Sequence, residues 1–384
     1  MIRHIVANAF TLMIVGLIAL AVVIAAGQRH FTGPGPLTQA ICYRVAPGAN
    51  LQQVSGQLAE MGAIGSPQVF RIGARYTERA DQLRFGSYLV PEAASMDEIM
   101  DILTRGGAST CGSEIQYRIG VTRIDTLVRE LDPATQRFET VVQFDAGETP
   151  PDDYARFIAM PDISLRITVA EGVTSWQIWD GLRQAEFLSG DMGAQPDEGW
   201  LAPDSYAVTR GQDRAELLTE MRARQEAILA DLWETRADDL PYETPYEALI
   251  MASIVEKETA DPEERPQVAG VFVNRLNTPM RLQTDPTVIY GITLGQGILG
   301  RGLRRSELDA VTPYNTYRID GLPPTPIANP GRQAIAAALN PDDTPYLYFV
   351  ADGTGGHSFS TNLADHNRAV ARWREIEAER AREN

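Results

Sequence analysis

Residues 244–262 read TPYEALIMASIVEKETADP, and the fold of the carboxy-terminal half turns on them. Thr244 is suited to cap a helix and Pro245 to sit in its first turn, while Glu247, three residues past the cap, completes a capping-box signature. The helix should close near Ala260, because Pro262 disfavours helical geometry at Asp261 and lacks a backbone donor. At about 100° per residue, Met251, Ile254, Val255 and Glu258 share one face, and Glu256 points nearly the opposite way. Desolvation and the negative end of the helix both raise the pKa of a carboxylate on an apolar face in a last turn. Glu258 is therefore a candidate proton donor at neutral pH, with a solvated charge on a fraying turn as the competing reading. Lys257 is the only lysine among 34 Lys and Arg residues, which leaves a required lysine and chance both open.

Working outward, the 384 residues are 44 % hydrophobic, enough for two or three domains with real cores. A net charge of −17 disfavours a nucleic-acid partner, since phosphate binding needs concentrated Lys and Arg. Residues 5–26, IVANAFTLMIVGLIALAVVIAA, carry no charge and only Asn8 and Thr11 as polar interruptions. At about 1.5 Å per residue such a helix crosses a hydrocarbon core of roughly 30 Å. Small residues at Ala25, Ala26 and Gly27 would suit a signal-peptide cleavage site, but signal apolar regions run to about 15 residues, so an uncleaved anchor over 1–27 is expected. Arg3 and Arg29 flank it on either side, and charge alone does not orient it. Cys42 and Cys111 flank the first folded module, as a disulfide in an oxidising compartment or as two free thiols.

Residues 28–40 contain Gly33, Pro34, Gly35 and Pro36 and read as a linker. A first module, 41–106, begins with a strand, a turn at Pro47-Gly48 and an amphipathic helix bearing Leu51, Val54 and Leu58, and Gly86–Val90 supplies a second strand. The pattern recurs: Val45, Ala46, Gly48, Val54 and Leu58 align with Val169, Ala170, Gly172, Ile178 and Leu182, which suggests a second strand-turn-helix module over 166–212. Between them, 107–165 lacks clear periodicity and reads as an insertion of unassigned role. Gly199 to Tyr206 is a turn-rich aromatic stretch able to edge a groove or to fill a core.

The remainder, 213–384, forms a mixed α/β domain. It opens with a long helix from Arg214 to Thr235. After Glu258, Asp261 should cap a helix opened by Pro262, with Glu264 at its capping-box position and Val268, Val271, Phe272 and Leu276 on its apolar side. Residues 281–291, RLQTDPTVIYG, read as strand and turn, and 306–310 as a short helix. A helix from Asn329-Pro330 to Leu339 precedes a hairpin of 346–351 with 357–361, and a charged helix follows from about Leu363. The fold class expected is α+β, with a membrane anchor helix ahead of it.

Several chemistries are disfavoured. Gly295, Gly297 and Gly300 match GxGxxG but lack the apolar helix and βαβ unit of a dinucleotide site. His357 and His366 stand nine residues apart with no cysteine near, so no metal site is expected. Gly356, Ser358 and Ser360 depart from the GxSxG elbow and lie in a hairpin. What stands out is a set of polar and aromatic residues able to bind sugar hydroxyls and amides: Asn274, Gln283, Asp285, Tyr290, Tyr314, Asn315, Tyr317, Asn329, His357 and Asn367. With one buried acid among them they suit carbohydrate cleavage.

The blocks MASIVEKET, VFVNRL, MRLQTDPTVIYG, TPYNTY, GLPPTPIANPG, YLYFVADGTGGHSFST and HN, from Met251 to Asn367, closely resemble the MltG-type (YceG-like) endolytic murein transglycosylases. The apolar amino terminus, a LysM-like module near 41–106 and the EGWLAPDSY segment resemble the family too, whereas 107–165 departs from it. The resemblance implies a single-pass protein of the inner membrane, with its bulk in the periplasm, that cuts nascent peptidoglycan strands internally. It implies Glu258 as the catalytic residue, no metal or organic cofactor, and peptidoglycan synthases (penicillin-binding proteins) as partners. The bond between N-acetylmuramic acid and N-acetylglucosamine would break without water, leaving 1,6-anhydro ends. Two alternatives stand beside it: a muramidase with Asp285 as base, and a non-catalytic wall-binding scaffold.

Overall fold

The computed structural model describes residues 2–105 and 111–383, so the junction at 106–110 between the first module and the expected insertion lies outside the described residues. The chain divides into two compact units. One holds the residues up to Ile115 with Leu127–Gln143 and Thr149–Ser164, and the other holds Gln116–Thr126, Phe144–Glu148 and the residues from Leu165 on.

In the first unit, helix α1 (Ile2–Thr32) is long and apolar enough over Phe10–Thr32 to cross a membrane, with a mean hydropathy of 2.7. It runs further than the sequence suggests, into residues expected as linker. Gly33 N–H still bonds the Arg29 carbonyl at 2.9 Å, and Phe31 is buried against Gly73, where any side chain would overlap its ring. Strand β1 (Ile41–Val45) leads to α2 (Leu51–Glu60), capped by a reciprocal Asn50–Gln53 box, and to α3 (Pro67–Tyr76), capped by Ser66. Strand β2 (Gly86–Val90) returns antiparallel to β1 with Cys42 opposite Leu89, and α4 (Met96–Arg105) follows. Val54, Leu58, Phe70, Ile99, Met100 and Leu103 have no exposed surface and form the centre of this core. Cys42 and Cys111 are joined as a disulfide, which resolves the alternative left open above.

The stretch read as an insertion without clear periodicity forms regular elements over its described residues. It forms β3 (Ser113–Ile119), β4 (Ile124–Asp132), β5 (Arg137–Asp145), α5 (Asp152–Ile158) and the start of β6 (Ser164–Val169). Its strands do not alternate cleanly: β4 has four consecutive buried residues, β5 is mostly exposed, and charged residues hold buried positions, with Asp125 (3 % exposed) paired with Arg118 and Glu114 (7 %) 3.8 Å from Arg129. After β6 come α6 (Ser175–Gln184) and β7 (Ser205–Val208), the latter antiparallel to β6, and the sheet order is β5-β4-β3-β6-β7. The repeat read from the sequence is present in local geometry. Gly48 and Gly172 both adopt positive φ (75° and 78°), each precedes a capping box, and Val54, Leu58, Ile178 and Leu182 are all fully buried.

The second unit continues with α7 (Arg214–Glu234), capped by Asp213, and α8 (Pro245–Glu258), capped by the Thr244–Glu247 box. Every residue of α8 from Ala248 to Val255 is buried, so this helix is enclosed all round rather than on one face. Next are α9 (Arg265–Asn277), α10 (Asp285–Thr293), α11 (Arg305–Asp309) and α12 (Arg332–Leu339). Strands β8 (Tyr348–Ala351) and β9 (His357–Ser360) form the expected hairpin before α13 (Leu363–Glu383).

Three boundaries differ from expectation. Asp261 accepts from Glu263 N–H in a turn, and α9 starts with Pro266 rather than Pro262 in its first turn. Residues 285–293 are helical, not a strand. Pro286 is compatible with a first turn, and Thr287 and Val288 pack inward, although Val288 and Ile289 are β-branched. Helix α12 begins after Gly331, whose N–H is held by the Glu256 carboxylate at 2.9 Å, two residues later than Asn329-Pro330 suggests.

Candidate active site

Glu258 is the last residue of α8, the helix at the centre of the second unit's core. Burial raises its carboxyl pKa above the ordinary value, and the charge of Asp285 raises it further. A hydrogen bond from the Thr284 hydroxyl to Oε1 acts in the opposite direction, as do the charges of His357 and Arg275. Thr284 stands at the N-cap of α10 but makes no side-chain cap bond; its hydroxyl goes to Glu258 instead. The group is thus tuned by opposing influences, with burial the largest, and can hold a proton at higher pH than a solvated carboxyl.

The neighbours are themselves fixed. Asp285, exposed, accepts from Tyr317 Oη at 2.7 Å. His357 Nδ1 lies 2.7 Å from Glu264 Oε2, and its backbone N–H bonds Glu264 Oε1 at 2.8 Å. Arg275, 6 % exposed, donates through Nε to the Leu347 carbonyl at 2.7 Å. Glu258 also lines a cavity of about 420 Å³ with Val121, Glu171, Gly172, Glu256, Lys257, Thr259, Ala260 and Arg265.

Glu256, on the opposite side of α8, is not solvated either. Its side chain is 5 % exposed and lies 3.3 Å from Arg265, which also reaches Glu171 at 3.2 Å and Gln333 at 2.7 Å. Burial raises the Glu256 pKa, but its oxygens serve Gly331 and Arg265 and are tied into the scaffold. Lys257 donates to the Gly172 carbonyl at 3.2 Å, and burial lowers its pKa while Glu256 and Glu198 raise it. The lone lysine therefore pins the turn before α6 to the end of α8.

Of the remaining candidates, Tyr290 donates to Glu198 Oε2 at 3.1 Å and its ring centre lies 5.0 Å from Tyr314, whose hydroxyl meets Thr325 at 2.8 Å. Asn329 is fully buried and ties Val173 O (2.9 Å), Leu201 N–H (2.9 Å) and Ser175 Oγ (3.2 Å) together. Asn315, also fully buried, directs its amide to the carbonyls of Glu307, Leu308 and Ala310, and Asn274 directs its amide to those of Thr344 and Tyr346. Gln283 is exposed with φ 51°, next to Thr284, and Asn367 is exposed on α13. The structure thus gathers Asp285, Tyr317 and His357 about Glu258, and engages Asn274, Asn315 and Asn329 in holding backbone. Among the described residues, no three His, Cys, Asp or Glu side chains form a group able to hold a metal ion.

Sequence reasoning missed Thr284, Arg275, Arg265, Glu264 and Glu198. The last is 8 % exposed, accepts from Ser175 N–H at 2.7 Å, and has its pKa raised by burial. Its signal was its place at the head of the quoted EGWLAPDSY segment; Thr284 and Arg275 gave none, because a threonine before a helix and an arginine on one read as cap and surface.

Fold and site together define an α+β protein with an amino-terminal apolar helix and a half-buried carboxyl, its pKa raised, at the end of its core helix. The YceG-like family pattern matches residues 43–155 and 143–372, and the chain belongs to that family. It is 29 % identical over 335 residues to an endolytic murein transglycosylase of Streptococcus pneumoniae, covering 85 % of this chain and 57 % of that protein. With an endolytic murein transglycosylase of Bacillus subtilis it shares 35 % identity over 178 residues, 46 % of this chain and 48 % of that protein. The chain spans about half the length of these relatives. A solved YceG-like protein of Listeria monocytogenes is 24 % identical with a TM-score of 0.45, covering 86 % of this chain and 99 % of that one.

Proposed function

We propose that this protein is an endolytic lytic transglycosylase of peptidoglycan. The observation that carries the reading is a carboxyl with a raised pKa, Glu258, on the rigid core helix and lining a cavity, in a chain of this family. Protonated Glu258 gives its proton to the oxygen linking N-acetylmuramic acid to N-acetylglucosamine as the bond from C1 to that oxygen breaks. The muramic C6 hydroxyl oxygen then bonds to C1, and its proton passes to the Glu258 carboxylate. That leaves a 1,6-anhydro end and restores the acid. One residue acts first as acid and then as base, so the cycle closes without water or a second nucleophile. Tyr317, His357 and the exposed Gln283 are the candidate substrate contacts around it, with Tyr290, Tyr314 and Asn329 supporting the surrounding loops.

The apolar α1 supports a single membrane anchor, and the Cys42–Cys111 disulfide favours an oxidising compartment for the bulk of the chain, the periplasmic side. The small α/β unit over 41–106 is read as LysM-like, with peptidoglycan synthases as partners. Asp285, whose charge acts on Glu258, supports a second reading, in which it activates water and the enzyme is a muramidase. Mass spectrometry of the products formed by the full chain in detergent on purified peptidoglycan separates the two. Internal anhydro ends that vanish with Glu258→Gln are expected; reducing ends would move the assignment to hydrolysis, and an intact protein that cuts nothing would overturn both.

A further inference from the structure

A second cavity, of about 350 Å³, lies in the same unit as Glu258 and has no part in the chemistry described. That volume is at the lower end of small-molecule sites, roughly 300–1,000 Å³. One wall is a ridge of α6: Trp176, Asp180 and Gln184 follow one another at four-residue spacing and so share a face. The helix is seated tightly, since a side chain at Gly181 would come within 2.9 Å of Ile119, and Tyr117 Oη bonds the Gly181 carbonyl at 3.0 Å. The Asp180 carboxylate is oriented by Arg183 and Gln184, both at 2.6 Å. The lining also includes the turn between β3 and β4, with Thr122 and the exposed Arg123, and Asp145, 3.9 Å from the Arg123 guanidinium.

The turn connects the two cavities. Gly120, Thr122 and Arg123 line this one, and Val121, between them, lines the cavity that contains Glu258. It is closed by a bond from Gly120 N–H to the Arg123 carbonyl at 3.0 Å and tied to α6 by Gln177 Nε2 to the Val121 carbonyl at 2.8 Å. A half-buried indole beside an acid, an amide and a guanidinium suits a pyranose ring: the ring's C–H face packs on the aromatic, and its hydroxyls and acetamido group hydrogen-bond at the rim.

We infer that the Trp176 cavity is a second saccharide subsite, which holds an amino-sugar unit of the glycan strand beyond the unit at Glu258, across the 120–123 turn. The inference rests on the strand-cutting function proposed above, because a polymer cut internally extends past the reacting bond. It makes Trp176 a determinant of strand affinity and takes no part in proton transfer.

The test uses the full chain in detergent carrying Glu258→Gln, so that nothing is cut, titrated with peptide-free glycan strands. Trp176→Ala removes the stacking face. Gln184→Trp, at an exposed lining position, fills the cavity without removing any buried group. Both are expected to weaken strand binding at least about tenfold, or about 1.4 kcal/mol. In the Glu258 background, KM for long strands should rise with kcat unchanged. Unchanged binding with either variant, or no strand binding by the parent, overturns the subsite. Trp176-dependent binding by a chain that cuts nothing keeps the subsite and sinks the cleavage reading; cleavage with variant-insensitive binding does the reverse.

Discussion

Thr284 donates its hydroxyl to Oε1 of Glu258 from the N-cap of a different helix, and so opposes the burial that raises the Glu258 pKa. A donor to the ionised form lowers the pKa, so its removal raises it. Thr284→Val should shift the alkaline limb of the pH–activity profile to higher pH. Because the hydroxyl makes no cap bond, α10 should persist in the circular dichroism spectrum. An unmoved limb would separate Thr284 from catalysis.

Glu258→Gln should lower cleavage by about 10²–10⁴-fold, the usual contribution of a general acid–base. The same change should stabilise the protein at neutral pH. With its folded pKa raised, Glu258 keeps its proton to higher pH than in the unfolded chain, so stability falls as pH rises from the ordinary carboxyl range through the folded value. Scanning calorimetry at pH 8 should put the variant's Tm above the parent's. Near pH 4 the difference should close.

Arg265 stands between Glu256 and Glu171, 5 % exposed, and its loss strands a buried carboxylate. Arg265→Met should cost about 3–5 kcal/mol in denaturant unfolding, the usual penalty for breaking one side of a buried pair. Glu256→Gln keeps an acceptor for Gly331 N–H, and whatever activity it retains should yield the same product ends.

Glu198 receives Ser175 N–H, Tyr290 Oη and, at 3.4 Å, Asn329 Nδ2. Glu198→Ala should destabilise by about 1–3 kcal/mol for buried donors left unpaired. Glu198→Gln should recover most of it, because burial already favours the neutral form. Equal losses in both variants would show that the charge, rather than the acceptor, is what the network needs.

Reduction of Cys42–Cys111, or replacement of both by serine, should destabilise the first unit by about 2–5 kcal/mol. Hydrogen exchange in β1 and β2 reports the loss directly, as Cys42 lies within that pair. Exchange there that is the same with and without the bond would mean that packing alone holds the unit.

Much of this was legible in the chain. Capping at Thr244–Glu247, the glycine turns at Gly48 and Gly172, and the β8–β9 hairpin are local features, set by φ preferences and side-chain bonds within a few residues. Helical geometry put Glu258 and Glu256 on opposite sides of α8; the structure leaves Glu258 half-buried in the last turn and the Glu256 side chain 5 % exposed against Arg265. The strands of 113–145 and the helix of 285–293 were not legible. Buried carboxylates at Asp125 and Glu114, four consecutive buried residues in β4 and a mostly exposed β5 leave no clean alternation to read, and β-branched Val288 and Ile289 imitated a strand.

By itself, then, the sequence determined the apolar amino-terminal helix, the repeated strand-turn-helix units, the core helix ending in an acid, and the family pattern over most of the chain. Only the tertiary structure decided what surrounds that acid. Thr284, Asp285, Arg275 and His357 reach Glu258 from three other elements, and a carboxyl's pKa is set by what lies within a few ångströms in space, whatever the distance along the chain.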